Sequence, residues 1–522
     1  MNLKLEHLAG DLFGLPAFSK RVLASEEPLF GVHVPRSAAR LEPPADRFDR
    51  DERAAFVASL TAAHAPFAPH VAVLDSIRAL EQPGSAVALA TARVGLFGST
   101  LDALYSALHA IRLASTLTEE WNQPVVPLLW IDTDAALSQA SHEAWFRSSD
   151  FILQRIHLPT VATEASTLPV RDCLAQLLGH EAEIDSALEL LTPREGETLA
   201  ASLTRALLEL LGSEGLLVCT PDDLRGDVSH FLSQVVADDP EGALFTTLEK
   251  LAEKQFAQAE HEFDPVLVHR CEAATVRPLH SGGDGFRYDE EPGSRTSAEL
   301  AAEIVQDPRG FVPGASLLPL IQDLVLPVAI RLAERESLYS EAALSGLRDS
   351  IGAPSVPILP RLSCTLVDAS TRDSLSKLEL SVREVYACRE SVERRADAED
   401  FRGAIEEFRA LSRATSESLH RIARPLWEYD PVLRPVARRS AREMRRALEK
   451  LCEKAENVLG NREGNFDRHQ RRVSSVLLPC GLPQESADSL LSWLAPFGPA
   501  WIPALQSELD PFAWEHLVVN FP

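Results

Sequence analysis

Hydrophobic and polar positions change period several times along the chain, and each change marks an element. The segment SAVALATARVGLFGST (85–100) opens as a short apolar, β-compatible run and passes through Gly95 and Gly98. Leu101, Leu104, Tyr105, Leu108 and Ile111 then follow a helical period, and PVVPLLWID reads as a buried strand. Strand, glycine turn, helix and strand make a βαβ unit, which predicts a parallel sheet. An amphipathic helix over 198–212 leads into GLLVCTPDD (215–223), a later strand of the same sheet that ends in a turn with two acids.

Farther on, SGGDG and EEPGSR within 272–300 are turn signals and predict a surface hairpin or flap. LLPLIQDLVLPVAIRLAE (317–334) is strongly apolar, but its two prolines rule out one long helix. SVPILPRLSCTLVD (355–368) is again strand-like. Residues 1–84 are proline-rich with short helical stretches such as DERAAFVASLTAAHA (51–65).

From 371 to 461 glycine and proline thin out, and Arg, Glu and Ala take over. Phe401, Ile405, Phe408, Ser412, Thr415, Leu419, Ile422 and Leu426 step by four and three, and so does the series from Ala437 to Val458. That spacing is a coiled-coil seam on two helices. WEYDPVLRP (427–435), with two prolines, is the natural reversal. The expected organisation is therefore an α/β core over 1–370, an antiparallel helical hairpin over 371–461, and a tail over 462–522 that packs on the core through aromatic anchors.

Composition adds exclusions. The 522 residues carry a formal net charge of −26, which repels the phosphates of nucleic acid and of anionic membranes. The N-terminus lacks a signal-peptide pattern, and no run of about 18 apolar residues occurs. Seven dispersed cysteines without a CxxC read as reduced thiols, and the expected location is the cytoplasm.

The candidate chemistry falls at turns. Gly95 and Gly98 can aim backbone N–H groups at an anion, with Arg93 and Ser99 adding side-chain contacts, but they can equally make only a tight turn. Neither GxGxxG nor GxxxxGK[ST] is present. Asp132 and Asp134 follow a strand, where parallel sheets bind ligands; the bland alternative is a helix cap. Asp222 and Asp223 in TPDDL read as a helix N-cap with a first-turn acid. Arg361 in LPRL can fork a carboxylate or phosphate, or pair with a structural acid. The 15 histidines show no metal-ligand spacing, and GxSxG is absent.

Taken together, these segments resemble the bacillithiol-biosynthesis cysteine-adding enzymes (BshC). The resemblance runs through VALATARVGLFGSTLDALYSALHAIRLA, PVVPLLWIDTDAAL, EGLLVCTPDD, FVPGASLLPLIQDLVLPVAI, VPILPRLSCTLVD, YDPVL and LPQESADSL, collinear over some 400 residues. It implies a Rossmann-like core and a coiled-coil hairpin that forms a homodimer. It also implies addition of L-cysteine to glucosaminyl-malate. The cofactor is left open, with a nucleotide such as ATP or ADP as the candidate and no metal expected.

On this resemblance Asp134 is the catalytic candidate, an acid in register with a family glutamate. Gly95, Ser99, Arg93, Asp132, Gln322 and Arg361 are the substrate-binding candidates. The chain departs from the family pattern at Ala135, Ala136 and Leu137, at Ala90 to Arg93, at Leu317 and Leu318, and at Glu334 to Ser337. A catalytically degenerate dimer acting as a binding or scaffold protein, and an unrelated nucleotide binder, are the competing readings.

Overall fold

In the computed structural model the described residues are 3–9, 15–134, 182–238, 240–254, 294–387 and 468–522. To these are added the strands at 143–147, 153–157, 268–272, 275–282 and 285–287, and isolated neighbouring positions. The chain divides into two compact units, Met1–Asp368 with Leu482–Pro522, and Ala369–Gly481.

The core of the first unit is a five-stranded sheet. Its strands are β1 (Ala86–Arg93), β2 (Val125–Asp132), β3 (Leu217–Cys219), β4 (Val328–Ala333) and β5 (Ile358–Pro360). All neighbours pair in parallel, and the spatial order is β3-β2-β1-β4-β5. This is the doubly wound order, in which the chain works outward from β1 in one direction and then returns to work outward in the other. The point of reversal lies between β1 and β4.

The strands are buried along almost their whole length, which is why they read as continuous apolar runs rather than alternating ones. β1 and β2 pair over eight residues, from Ala86↔Val125 to Arg93↔Asp132. Pro127 is tolerated in β2 just ahead of the stretch paired with β3, which begins at Leu128↔Leu217. Helix Leu101–Trp121 packs on β1 and β2 and stops at Asn122, whose left-handed backbone (φ 51°) ends the helical run.

The two prolines of 317–334 act as expected. Pro319 starts helix Leu318–Val325, and Pro327 separates that helix from β4. The stretch 355–368, which reads as one strand, is two. β5 ends at Pro360, Arg361 and Leu362 turn the chain, and Ser363–Val367 joins another sheet. There Ser363–Val367 runs parallel to His516–Asn520, which pairs antiparallel with Lys4–Leu8. The hairpin expected around 272–300 occurs as strands Val268–Glu272, Thr275–Gly282 and Gly285–Arg287, joined by Phe311–Pro313 in an antiparallel sheet.

The returning C-terminal segment is anchored by aromatic rings. Phe497 and Phe521 lie 4.3 Å apart between ring centroids, and Trp493 and Trp501 close on Phe521 at 5.3 and 5.8 Å. In the second unit, helices Ala369–Leu378 and Val382–Ala387 are described. The seam residues Phe401 to Leu426 and Ala437 to Val458, and the reversal at 427–435, lie outside the described residues apart from isolated helical positions.

Candidate functional site

Open parallel sheets bind ligands outside the carboxyl ends of their strands, at the point where strand order reverses. Here that edge collects charge. β1 ends in Arg93, β2 in Asp132 with Asp134 two residues on, β4 runs into Glu334 and Arg335, and β5 runs into Arg361. The register Arg93↔Asp132 sets those two residues side by side on adjacent strands.

The turn after β1 is tightly wound. Phe97, Gly98 and Ser99 have φ of 52°, 84° and 63°, three consecutive residues in the region that favours glycine. Ser99 folds back so that its hydroxyl donates to the Arg93 carbonyl at 2.8 Å. A Cβ on Gly95 would stand 3.0 Å from Ser99 Oγ, and a Cβ on Gly98 would stand 2.8 Å from Leu191 Cδ2. The tail grips the far side of the turn. Leu101 N–H donates to the Asp488 carbonyl at 3.1 Å, and Thr100 bridges to Ser489. The first turn of the helix also carries Asp102, which accepts from the Thr100 hydroxyl. A diphosphate at this turn would meet a carboxylate and an N–H already engaged, so these residues do not fit a nucleotide phosphate in the manner of a glycine-rich loop.

Asp134 is held in a fork. Arg225 Nη2 and Nη1 donate to its two carboxylate oxygens at 2.8 and 3.2 Å, and Arg225 Nε donates to Asp222 at 2.9 Å. Burial pushes the Asp134 carboxyl up, and Arg225 opposes that rise. Asp132 is buried, and its Oδ1 accepts from the Asp134 N–H at 3.1 Å. Asp223 closes a capping box with Thr220 at the end of β3. Ala135, Ala136 and Leu137 lie outside the described residues.

Arg361 is buried between two acids. Its Nε donates to Glu334 at 2.7 Å, and its Nη2 lies 3.1 Å from Glu485. Glu485 reaches there from the tail and also accepts from Ser363 Oγ and the Cys364 N–H. Two histidines back this cluster. His109 accepts from the Leu362 N–H through Nδ1 at 2.9 Å, so its Nε2 carries the proton and donates to the Pro511 carbonyl at 2.7 Å. His516 sits between Ser363 and Thr365, with 2.8 Å to each hydroxyl. Burial lowers His109 to about 4 and His516 to about 3, so both are neutral near pH 7.

Gln322 lies elsewhere. Its amide nitrogen donates to Thr91 Oγ1 at 3.0 Å, and it is 1% exposed. Next to it, Asp323, Arg331, Glu341 and Arg348 form a buried network in which each acid meets both arginines. With its charges paired, that network is a structural device. The cleft lined by Asp46, Arg47, Phe48, Gly84 and Pro327 opens at the start of β1 and β4, opposite the charged edge.

The structure thus brings Arg93, Ser99, Gly95, Asp132, Asp134 and Arg361 to the carboxyl edge of the sheet and sets Gln322 within the packed interior. Asp102, Glu334 and Glu485 belong to the same edge and were not among the sequence candidates. Asp102 is hidden in the sequence because an acid in a helix's first turn looks like a cap. Glu485 comes from a segment with no local motif. Among the described residues, no group of His, Cys, Asp and Glu is arranged to hold a metal ion, and no helix is long and apolar enough to cross a membrane.

A parallel sheet in the order β3-β2-β1-β4-β5, with charged groups gathered where the order reverses, defines a Rossmann-like α/β protein. Residues 28–333 match the family model described as "Bacillithiol biosynthesis BshC, N-terminal Rossmann-like domain", and residues 364–521 match "Bacillithiol biosynthesis BshC, C-terminal coiled-coil domain". The chain belongs to the bacillithiol biosynthesis BshC family. A relative from Koribacter versatilis is 24% identical over 424 residues, covering 78% of each chain. One from Solibacter usitatus is 25% identical over 468 residues, covering 86% of each. One from Bacillus pumilus is 21% identical over 490 residues, covering 89% of each. All three bear the name "Putative cysteine ligase BshC".

Proposed function

We propose that this protein joins L-cysteine to the amine of glucosaminyl-malate, the last bond of bacillithiol, at the carboxyl edge between β1 and β4. Family membership together with the charges of both signs gathered at that edge supports this reading. Amide formation from an acid and an amine loses water overall, so the cysteine carboxyl must be activated by a co-reactant; ATP is the candidate, bound away from the turn after β1, whose carboxylate and engaged N–H do not fit its phosphates. The attacking amine must shed a proton. Asp134 is the proposed acceptor, its carboxyl raised by burial and therefore a stronger base than a free aspartate. Arg93, Ser99, Asp132 and Arg361 are proposed to orient the substrates, and Gly95 to keep the turn open to Ser99. Gln322 would support the edge from below through Thr91.

The same proposal has the protein acting in the cytoplasm as a homodimer through its coiled coil. It takes the chain as a core over 1–370, a hairpin over 371–461 and a tail over 462–522.

A second reading is favoured by one observation, the bidentate fork of Arg225 on Asp134. A carboxylate so held is already neutralised, which fits a non-catalytic dimer that kept the fold. Mass-spectrometric detection of the thiol product, from cysteine and glucosaminyl-malate with and without ATP, tests both. Product that persists in Arg225→Gln and disappears in Asp134→Asn supports an enzyme with Asp134 as its base. Absence of product from folded wild-type protein, with both variants losing similar stability, supports the non-catalytic dimer.

A further inference from the structure

Two side chains bracket the turn that follows β1. Arg93 ends the strand and is exposed, and among the described residues its guanidinium makes no ion pair and no hydrogen bond. Asp102 stands in the first turn of the next helix and is partly exposed. One of its carboxylate oxygens accepts from Thr100, and the other has no partner among the described residues. The neighbouring charges are spent. Arg361 is shared by Glu334 and Glu485, and Arg335 is buried with Nη2 on the Glu515 carbonyl. Glu334 uses one oxygen on Arg361 and leaves its side chain 49% exposed, which adds negative charge on the Asp102 side.

We propose that Arg93 and Asp102 form a two-point clamp for the head group of a zwitterionic α-amino acid, Arg93 taking the carboxylate and Asp102 the ammonium. This rests on the carboxyl edge being the substrate site. An α-amino acid carries both charges on groups attached to one carbon, which matches one open cation and one open anion across a single turn. A phosphate or a dicarboxylate would satisfy Arg93 but face Asp102 and Glu334. A simple amine would satisfy the acids and leave Arg93 unused. Charge-assisted hydrogen bonds at both ends discriminate against a ligand lacking either charge. Burial pushes the Asp102 carboxyl up while Arg361 and, more weakly, Arg93 pull it down and Glu334 adds to the rise. A bound ammonium would stabilise the ionised form, so the clamp tightens as pH rises through the Asp102 titration.

Calorimetric titration of the full chain with three thiols tests the clamp: L-cysteine, cysteamine without the carboxylate, and 3-mercaptopropionate without the amine. The wild type is expected to prefer L-cysteine over either analogue by about tenfold or more. Arg93→Gln weakens L-cysteine and 3-mercaptopropionate and spares cysteamine. Asp102→Asn, which keeps the side-chain shape, weakens L-cysteine and cysteamine and spares 3-mercaptopropionate. No L-cysteine binding at millimolar concentration, no preference among the three, or equal weakening of all three by each variant overturns the clamp. The reaction is scored separately: product with an unchanged cysteine KM in both variants keeps the reaction and rejects the clamp. The predicted binding pattern without product keeps the clamp and rejects the reaction.

Discussion

At the scale of single residues, the decisive feature is how the protein treats charge beneath its carboxyl edge. His109 and His516 are kept neutral by burial, and each ring nitrogen of both is matched to a backbone or hydroxyl partner. The unfolded chain, with histidines near 6.5, takes up protons before the folded one does as pH falls. Stability contributed by neutral His109 is thus complete above 6.5 and lost between 6.5 and about 4. For His109 that loss corresponds to about 3 kcal/mol, and His516, lowered to about 3, adds to the same limb. Urea melts from pH 7 to 4 are expected to fall steeply in the wild type and more shallowly in His109→Gln, which keeps a donor and an acceptor. An equal slope in the two proteins would count against a buried neutral histidine. None of this is visible in sequence, where His109 is one residue on the apolar helix LDALYSALHA.

At the scale of elements, the turn 94–100 that follows β1 is costly to change. Gly98 needs a positive φ and has Leu191 and Leu490 against its missing Cβ. Gly98→Ala should lower stability by about 1–3 kcal/mol in chemical denaturation. A neutral outcome would mean the turn relaxes more freely than its packing indicates. Glu485 belongs to the tail yet completes the β5 exit. Replacing it with alanine leaves Glu334 as the only carboxylate in ion pair with the buried Arg361 among the described residues and removes acceptors from Ser363 Oγ and the Cys364 N–H. A loss of about 3 kcal/mol is expected for breaking a buried pair, measured by the denaturation midpoint. The βαβ unit and its glycine turn were legible in the sequence because local periodicity and turn chemistry agree. The clasp by Asp488 and Ser489 was not, because it joins residues nearly 400 positions apart through backbone atoms that any sequence provides.

At the scale of the whole molecule, the Rossmann-like unit is closed by its own C-terminus. His516–Asn520 lies between Lys4–Leu8 and Ser363–Val367, so both ends of the chain meet in one sheet. The coiled-coil domain is compatible with self-association, and a homodimer is the proposal. Sedimentation equilibrium should therefore return twice the chain mass of 57.2 kDa. Aspartates in place of the seam residues Phe408 and Leu448, expected to zip the hairpin, should lower helix content and return a single mass, and an unchanged dimer would place the subunit interface outside the hairpin. The acidic surface, with a net charge of −26, should keep either form soluble without creating a surface for nucleic acid.

By itself the sequence determined the fold class, the parallel strands β1, β2 and β3, the helix between β1 and β2, and the coiled-coil periodicity. Burial on both faces and heptad spacing are written in residue order, and a single chain suffices to read them. It also brought Arg93, Asp132 and Asp134 forward, because each follows an apolar strand. Only the tertiary structure decided what those charges face. Arg225 closes on Asp134, Glu334 and Glu485 close on Arg361, and Arg93 and Asp102 are left open across the turn after β1. Pairing of charges depends on three-dimensional distance between elements far apart in the chain, and no local pattern encodes which partner will arrive.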